Sequence, residues 1–182
     1  MNKKLLIYGL AFGSASAALS YVHYASAIYK SSGVLQLLAM LSEVLIIPGI
    51  GIYLFLKAFR TDNPEQFNMG RAIFLSFFLS VIMSAAVSLV FSYIYQFRQE
   101  LVVQIVNYKT ELYSKTKAAL ELKAKGAAVY EKDVKAYSDL IRTEIYSMGA
   151  QFKLQLFMGA SRGLLLGAIM AYIMRPKTPR KD

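Results

Sequence analysis

Four stretches of this chain are long and apolar enough to cross a bilayer: Leu5 to Val22, Val34 to Leu56, Ala72 to Tyr95 and Phe152 to Met174. Each reaches the roughly 20 residues that an α-helix needs to cover a ~30 Å hydrocarbon core. Unsatisfied backbone groups are too costly in lipid for a single segment of that length to cross as anything but a helix. Cations punctuate the ends: Lys3 and Lys4 before the first stretch, Lys57 and Arg60 after the second, Arg71 before the third, Arg175 and Lys177 after the fourth. Tyr21, Tyr24, Tyr29, Tyr53, Tyr93, Tyr95 and Tyr172 stand near the ends, as in an aromatic belt. Over the whole chain 56% of residues are hydrophobic and 18% charged, which is not a soluble composition.

The same counts narrow the chemistry. With no cysteine and one histidine, disulfides, thiolate nucleophiles, Cys-ligated metals and His-rich metal sites are excluded. No Gly-rich phosphate loop, His-Glu metal box or nucleophile with a base is present, so neither catalytic residues nor a metal or cofactor site are expected. The tail Arg175 to Asp182 is short, basic and proline-broken, and reads as an attraction to anionic lipid. It is too small to be a folded nucleic-acid surface. The expected partners are therefore membrane lipid and other proteins.

Residues 1–95 hold the first three spans, 96–151 a polar segment, 152–174 the fourth span and 175–182 the basic tail. In the polar segment apolar residues recur at helical spacing, Leu101, Ile105, Tyr108, Leu112, Ala119 and Leu122, then Val134, Tyr137, Ile141, Ile145 and Met148. Lys125-Gly126 is a helix stop, and the pattern predicts an antiparallel extramembrane hairpin with arms Arg98 to Lys123 and Ala128 to Met148. Its arms either simply pack on each other or, with Tyr113, Tyr130 and a lysine-rich tip, present an interface over residues 98–148. The chain is thus expected to be all-α, a polytopic bundle of four transmembrane helices. The lysine- and arginine-rich flanks share one side, which places both termini in the cytoplasm and the hairpin outside; a hairpin facing inward would instead let the +10 net charge favour anionic lipid or nucleic acid. Met1 to Ala17 also has the outline of a cleavable signal peptide, but the apolar run continues to Val22, as a span requires.

Small residues fall at every fourth position: Gly9, Gly13 and Ala17; Ser76, Ser80, Ser84, Ser88 and Ser92; Gly159, Gly163, Gly167 and Ala171. Between lipid-embedded helices such stripes allow close backbone approach. They predict tight packing within the bundle, with a homo-oligomer through one stripe as the alternative. Glu43 and Arg162 lie deep in spans two and four, where an isolated charge costs ~2.5 to 3.5 kcal/mol even on the lenient insertion scale. The two spans run the same way and the charges sit at matching depths. Gln36 and Gln155 stand seven residues earlier on nearly the same faces. A polar seam with a Glu43–Arg162 salt bridge is expected. Its role is to fix register, or to carry protons or ions with Glu43 titrating and His23 near the outer face. Arg162 with Gln155 could alternatively hold an anionic group. The ungapped match of Leu35-Gln36-Leu37 to Leu154-Gln155-Leu156, with Ser16, Ser20 and Tyr21 against Ser88, Ser92 and Tyr93, outlines a parallel internal repeat.

From Gly51 to Tyr95 the chain resembles a family of small bacterial inner-membrane proteins common in Bacteroidetes, a domain of unknown function. The resemblance rests on Ala58-Phe59-Arg60 closing a span, Asn63 in a polar turn, Phe67 with Gly70, and Phe91-Ser92-Tyr93-Ile94-Tyr95. The order of the spans is also similar, although the family's glutamate-rich connector is more lysine-rich here. The resemblance implies four spans and no known activity. The function read from the sequence is that of a non-catalytic accessory or assembly subunit, with a small transporter or channel component as the alternative.

Overall fold

A computed structural model describes residues 3–31 and 33–174. The basic tail read as lipid-attracting lies outside them. Every regular element is helical among the described residues: α1 (Lys3–Ala25), α2 (Val34–Leu41), α3 (Ile47–Asp62), α4 (Met69–Phe97), α5 (Gln99–Ser114), α6 (Lys117–Lys125), α7 (Ala127–Leu140) and α8 (Met148–Ile173). Wider π-type turns join α2 to α3 over Ser42–Ile46 and extend α7 over Ile141–Ile145. Four segments are long and apolar enough to cross a membrane: α1, the run Val34–Asp62 that includes α2 and α3, α4 and α8. Each exceeds the apolar stretch read from the sequence, because polar and aromatic residues at the ends continue the helix.

The chain forms two compact units, Met1–Val90 with Leu154–Asp182, and Phe91–Lys153. In the first, α4 is the central helix. One of its faces, through Ile82, Met83 and Ala86, receives Gly9 and Gly13 of α1. Another, through Ser76, Ser80 and Ser84, receives Gly167, Gly163 and Gly159 of α8, whose order shows that α8 runs antiparallel to α4. A methyl group added at Gly163 would lie 2.7 Å from Phe77 Cα and 2.8 Å from the Ser76 carbonyl. At Gly13 it would lie 2.9 Å from Met83 Cα. Ile52, Phe55, Leu56 and Phe59 of α3 close the core with Leu5, Leu79, Met83 and Ala171. α2 buries no residue, and Val34, Leu35, Leu37 and Leu38 face outward, as suits a lipid-facing half-span.

Span ends meet in this unit. Lys4 pairs with Asp62, Arg60 Nη1 donates to the Met174 carbonyl at 2.7 Å, and Arg71 lies over the Phe59 ring. These contacts bring the start of α1, the end of α3, the start of α4 and the end of α8 together.

In the second unit α7 runs antiparallel to α5 and α6. Tyr113 stacks on Tyr137 with centroids 4.0 Å apart and donates its hydroxyl to Asp133, and Lys123 lies over Tyr130. That hydrogen bond raises the Tyr113 phenol above its ordinary range. The first arm is broken twice. Gly126, at φ 142, ends α6 as the sequence indicated. A second break falls at Lys115 and Thr116, where Thr116 is extended and its hydroxyl accepts from Ala119 N at 3.4 Å to cap α6. The continuous arm Arg98 to Lys123 is therefore two helices. Leu101, Ile105, Ala119 and Ile141 are buried as the periodicity indicated, joined by Val102 and Val106, whereas Leu112, Ile145 and Met148 are exposed.

Gly163→Leu is expected to cost at least the roughly 1–3 kcal/mol of an overpacked core and to lower the thermal midpoint in detergent. Gly149→Ala, whose added methyl meets nothing within 4 Å, should leave the midpoint unchanged. Equal midpoints for the two variants would remove the packing argument.

Candidate functional site: a membrane-embedded polar cluster

Pro48 organises the site. A proline supplies no N–H to the carbonyl four residues back, and its ring crowds that carbonyl. Here that carbonyl belongs to Val44. The chain accommodates the proline by widening the preceding turn, so that Ile47 N–H reaches back to the Ser42 carbonyl. Arg162 of α8 then donates from Nη1 to the Val44 oxygen at 3.3 Å. Its Nε donates to Ser80 Oγ at 3.0 Å and its Nη2 to Ser84 Oγ at 2.8 Å. Three faces of the guanidinium thus meet neutral acceptors from α4 and from the broken second span.

Glu43 sits in the widened turn and accepts from Ser20 Oγ of α1. Ser20 belongs to a buried polar face of α1 that includes Ser16 and His23. Ser16 Oγ and His23 Nδ1 are buried without a hydrogen-bond partner. His23 is singled out in the sequence as a polar residue near the outer face, whereas Ser16 and Ser20 appear there only in the repeat match. What could have found them is their spacing, at i, i+4 and i+7 on the face that continues from Gly9 and Gly13.

The expected Glu43–Arg162 salt bridge does not form. Ion pairs among the described residues include Lys4–Asp62, Arg98–Glu100, Lys115–Glu111 and Lys117–Glu121, and none joins Glu43 to Arg162. Glu43 and Arg162 feel each other's charge, but each is held by its own hydroxyls. The physical reason is that α4 inserts a serine ladder beside Arg162, while α1 offers Ser20 to Glu43. Register between the two spans is nonetheless close, since Arg162 reaches the residue next to Glu43. Gln36 and Gln155 are half-buried, and among the described residues neither makes a side-chain hydrogen bond to the pair. They do not extend the seam.

The serine stripe divides by role. Ser76 and Ser88 return their hydroxyls to the carbonyls of Ala72 and Ser84, at 2.8 and 2.9 Å, while Ser80 and Ser84 turn theirs to Arg162. The two segments matched in the proposed internal repeat differ in local structure, since the second span widens over Ser42–Ile46 whereas α8 is an uninterrupted α-helix. No group of three or more His, Asp or Glu residues close enough to hold a metal ion occurs among the described residues.

A family model described as "Protein of unknown function (DUF4199)" matches residues 7–176. That match extends well beyond the Gly51 to Tyr95 motifs on both sides. No curated protein and no solved structure matches the chain.

The double variant Ser80→Ala, Ser84→Ala removes two of the three acceptors of a charged donor. It is expected to lower stability by about 1–3 kcal/mol, read from denaturant titration in mixed micelles. The charge exchange Glu43→Arg with Arg162→Glu should not restore the assembly lost in either single variant, because the two side chains rest on different partners. Full rescue by the exchange would show that they pair directly.

Proposed function

The chain belongs to the DUF4199 family of proteins of unknown function, and we propose that it is a non-catalytic, polytopic accessory or assembly subunit of a bacterial inner membrane, of the Bacteroidetes type, that binds other proteins through residues 98–148. The observation that carries this reading is the separate compact unit Phe91–Lys153. Its helices α5 to α7 are not among the four segments long and apolar enough to cross a membrane, yet Leu112, Leu120, Val129 and Leu140 remain exposed on them. Apolar side chains held in water on a rigid helical pair suit a protein interface. The embedded polar cluster then has a structural role. Arg162 ties α8 to α4 and to the proline-broken span, a use of buried polar groups that specifies register.

Orientation follows the positive flanks. Lys4, Arg60 and Arg71 lie at the end where α1, α3, α4 and α8 meet, which supports a cytoplasmic placement of that end and an outward placement of the extramembrane hairpin. The absence of cysteine makes this directly measurable. Ala124→Cys should react with a membrane-impermeant maleimide in intact spheroplasts, and Glu65→Cys only after lysis. The reverse pattern inverts the topology. Photo-crosslinkers at Leu120 and Val129 should yield protein adducts in native membranes, whereas one at the lipid-facing Ile7 should not. A homo-oligomer would use surfaces other than the glycine stripes of α1 and α8, which are occupied by α4.

A second reading, a small transporter or channel component, is favoured by one observation. Glu43 is not neutralised by direct pairing, and it shares the α1 face with the unpartnered Ser16 Oγ and His23 Nδ1. A proton flux in proteoliposomes that is abolished by Glu43→Gln would select this reading, and unchanged flux would dismiss it.

A further inference from the structure

The second unit contains a cavity of about 290 Å³ between α5, the C-terminal end of α7 and the π-type turn Ile141–Ile145. That volume lies near the lower end of the ~300–1,000 Å³ typical of small-ligand pockets, so it admits a headgroup-sized molecule and not a pair of acyl chains. One wall is apolar, built from Val102, Val103 and Val106 of α5. Asp139 of α7 and Arg142 of the π-type turn also line it, as do Gln99 and Asn107 of α5.

Asp139 and Arg142 stand three residues apart, a spacing at which opposite charges on a helix commonly meet. Here they make no ion pair and no side-chain hydrogen bond among the described residues, although the same unit closes Lys115–Glu111 and Arg98–Glu100. The widened turn begins at Ile141, between them, with Tyr146 N–H reaching the Ile141 carbonyl at 2.7 Å. The cavity therefore offers one cation and one anion side by side, neither engaged by the protein.

Position narrows the ligand. The lining includes Tyr95, in the last turn of apolar α4, and Ser147, immediately before apolar α8. If α4 and α8 span the bilayer, both residues lie at headgroup depth, where a tyrosine is favoured and phospholipid is the most concentrated solute. We propose that this cavity binds a phosphoethanolamine group, with Arg142 on the phosphate and Asp139 accepting from the primary ammonium. Gln99 and Asn107 donate further hydrogen bonds to phosphate oxygens, and the valine wall covers the neighbouring carbon chain. A choline head, whose trimethylammonium has no N–H, satisfies Arg142 but not Asp139. A glycerol head lacks the ammonium altogether.

The inference rests on the reading of α4 and α8 as spans and is independent of any protein partner. The full chain, delipidated in detergent, is titrated with phosphatidylethanolamine, phosphatidylcholine and phosphatidylglycerol, and retention is read by native mass spectrometry. Phosphatidylethanolamine is expected to bind best. Arg142→Ala should weaken all three lipids, phosphatidylethanolamine by about tenfold. Asp139→Asn should reduce phosphatidylethanolamine to the level of phosphatidylcholine and leave phosphatidylglycerol unchanged. Lys132→Ala, on α7 outside the cavity lining, should change nothing. Both lining residues are exposed and unpaired, so the variants should keep the wild-type helical circular dichroism. Soluble phosphoethanolamine that displaces the lipid at similar concentration would identify a free ligand of the same chemistry, and failure to displace it would identify the membrane as the source. Equal retention of the three lipids, unaffected by either variant, overturns the proposal. That outcome alongside intact crosslinks from Leu120 leaves the partner-binding reading standing, and the converse pattern separates the two the other way.

Discussion

The approach of α8 to α4 through Gly159, Gly163 and Gly167 is the contact on which the rest of the first unit depends. In lipid there is no hydrophobic gain from bringing two apolar helices together, so association relies on dispersion and hydrogen bonding at short range. Glycine on one helix and serine on the other permit that range. Only at such a separation can Arg162 extend from α8 to Ser80 and Ser84 and still reach the Val44 carbonyl of the second span. The glycine ladder and the half-buried guanidinium are thus parts of one arrangement, in which the first sets the distance and the second fixes the register.

Proline and arginine solve each other's problems in this arrangement. Pro48 strips a donor from Val44, and an orphaned carbonyl in hydrocarbon is costly. Arg162 brings five donors into a half-buried place among apolar helices. Joining the two gives the carbonyl a donor and the guanidinium its third acceptor, beside Ser80 and Ser84, without a counter-charge. Glu43, meanwhile, uses a hydroxyl from α1. Dispersing each charge over neutral dipoles avoids the strict geometry that a desolvated ion pair demands, and it ties four helical segments together instead of two. It also leaves Glu43 beside a polar α1 face whose Ser16 and His23 atoms are unused, which is why the transport reading stays attached to the same residues.

The second unit is organised differently. Its helices carry charge along their lengths and pack through a narrow apolar seam, Leu101, Val102, Ile105 and Val106, with tyrosines stacked across the pair. Breaks at Thr116 and Gly126 and the π-type turn at Ile141 divide it into short pieces. Short, capped segments of this kind hold side chains in place through local hydrogen bonds, and it is beside the widened turn that Asp139 and Arg142 are left to face a cavity.

The four spans were legible in the linear sequence because bilayer thickness imposes a length and lipid imposes a composition, and both are local properties. So were the small-residue stripes and the depth of Glu43 and Arg162. The second break of the hairpin was not, since Thr116 resembles any other polar residue until its hydroxyl finds the Ala119 amide. The partners of the charges were not either. Opposite signs at equal depth suggest a salt bridge, but which side chains surround a charge depends on how neighbouring helices rotate about their axes. Rotation is decided by the packing of α1 and α8 against two faces of α4, a property of the assembled bundle that no single segment carries. The sequence alone determined that this protein is a set of helices built for lipid; the tertiary structure decided that its two half-buried charges rest on serines and a proline-freed carbonyl, because only three-dimensional packing sets which hydroxyls lie within reach.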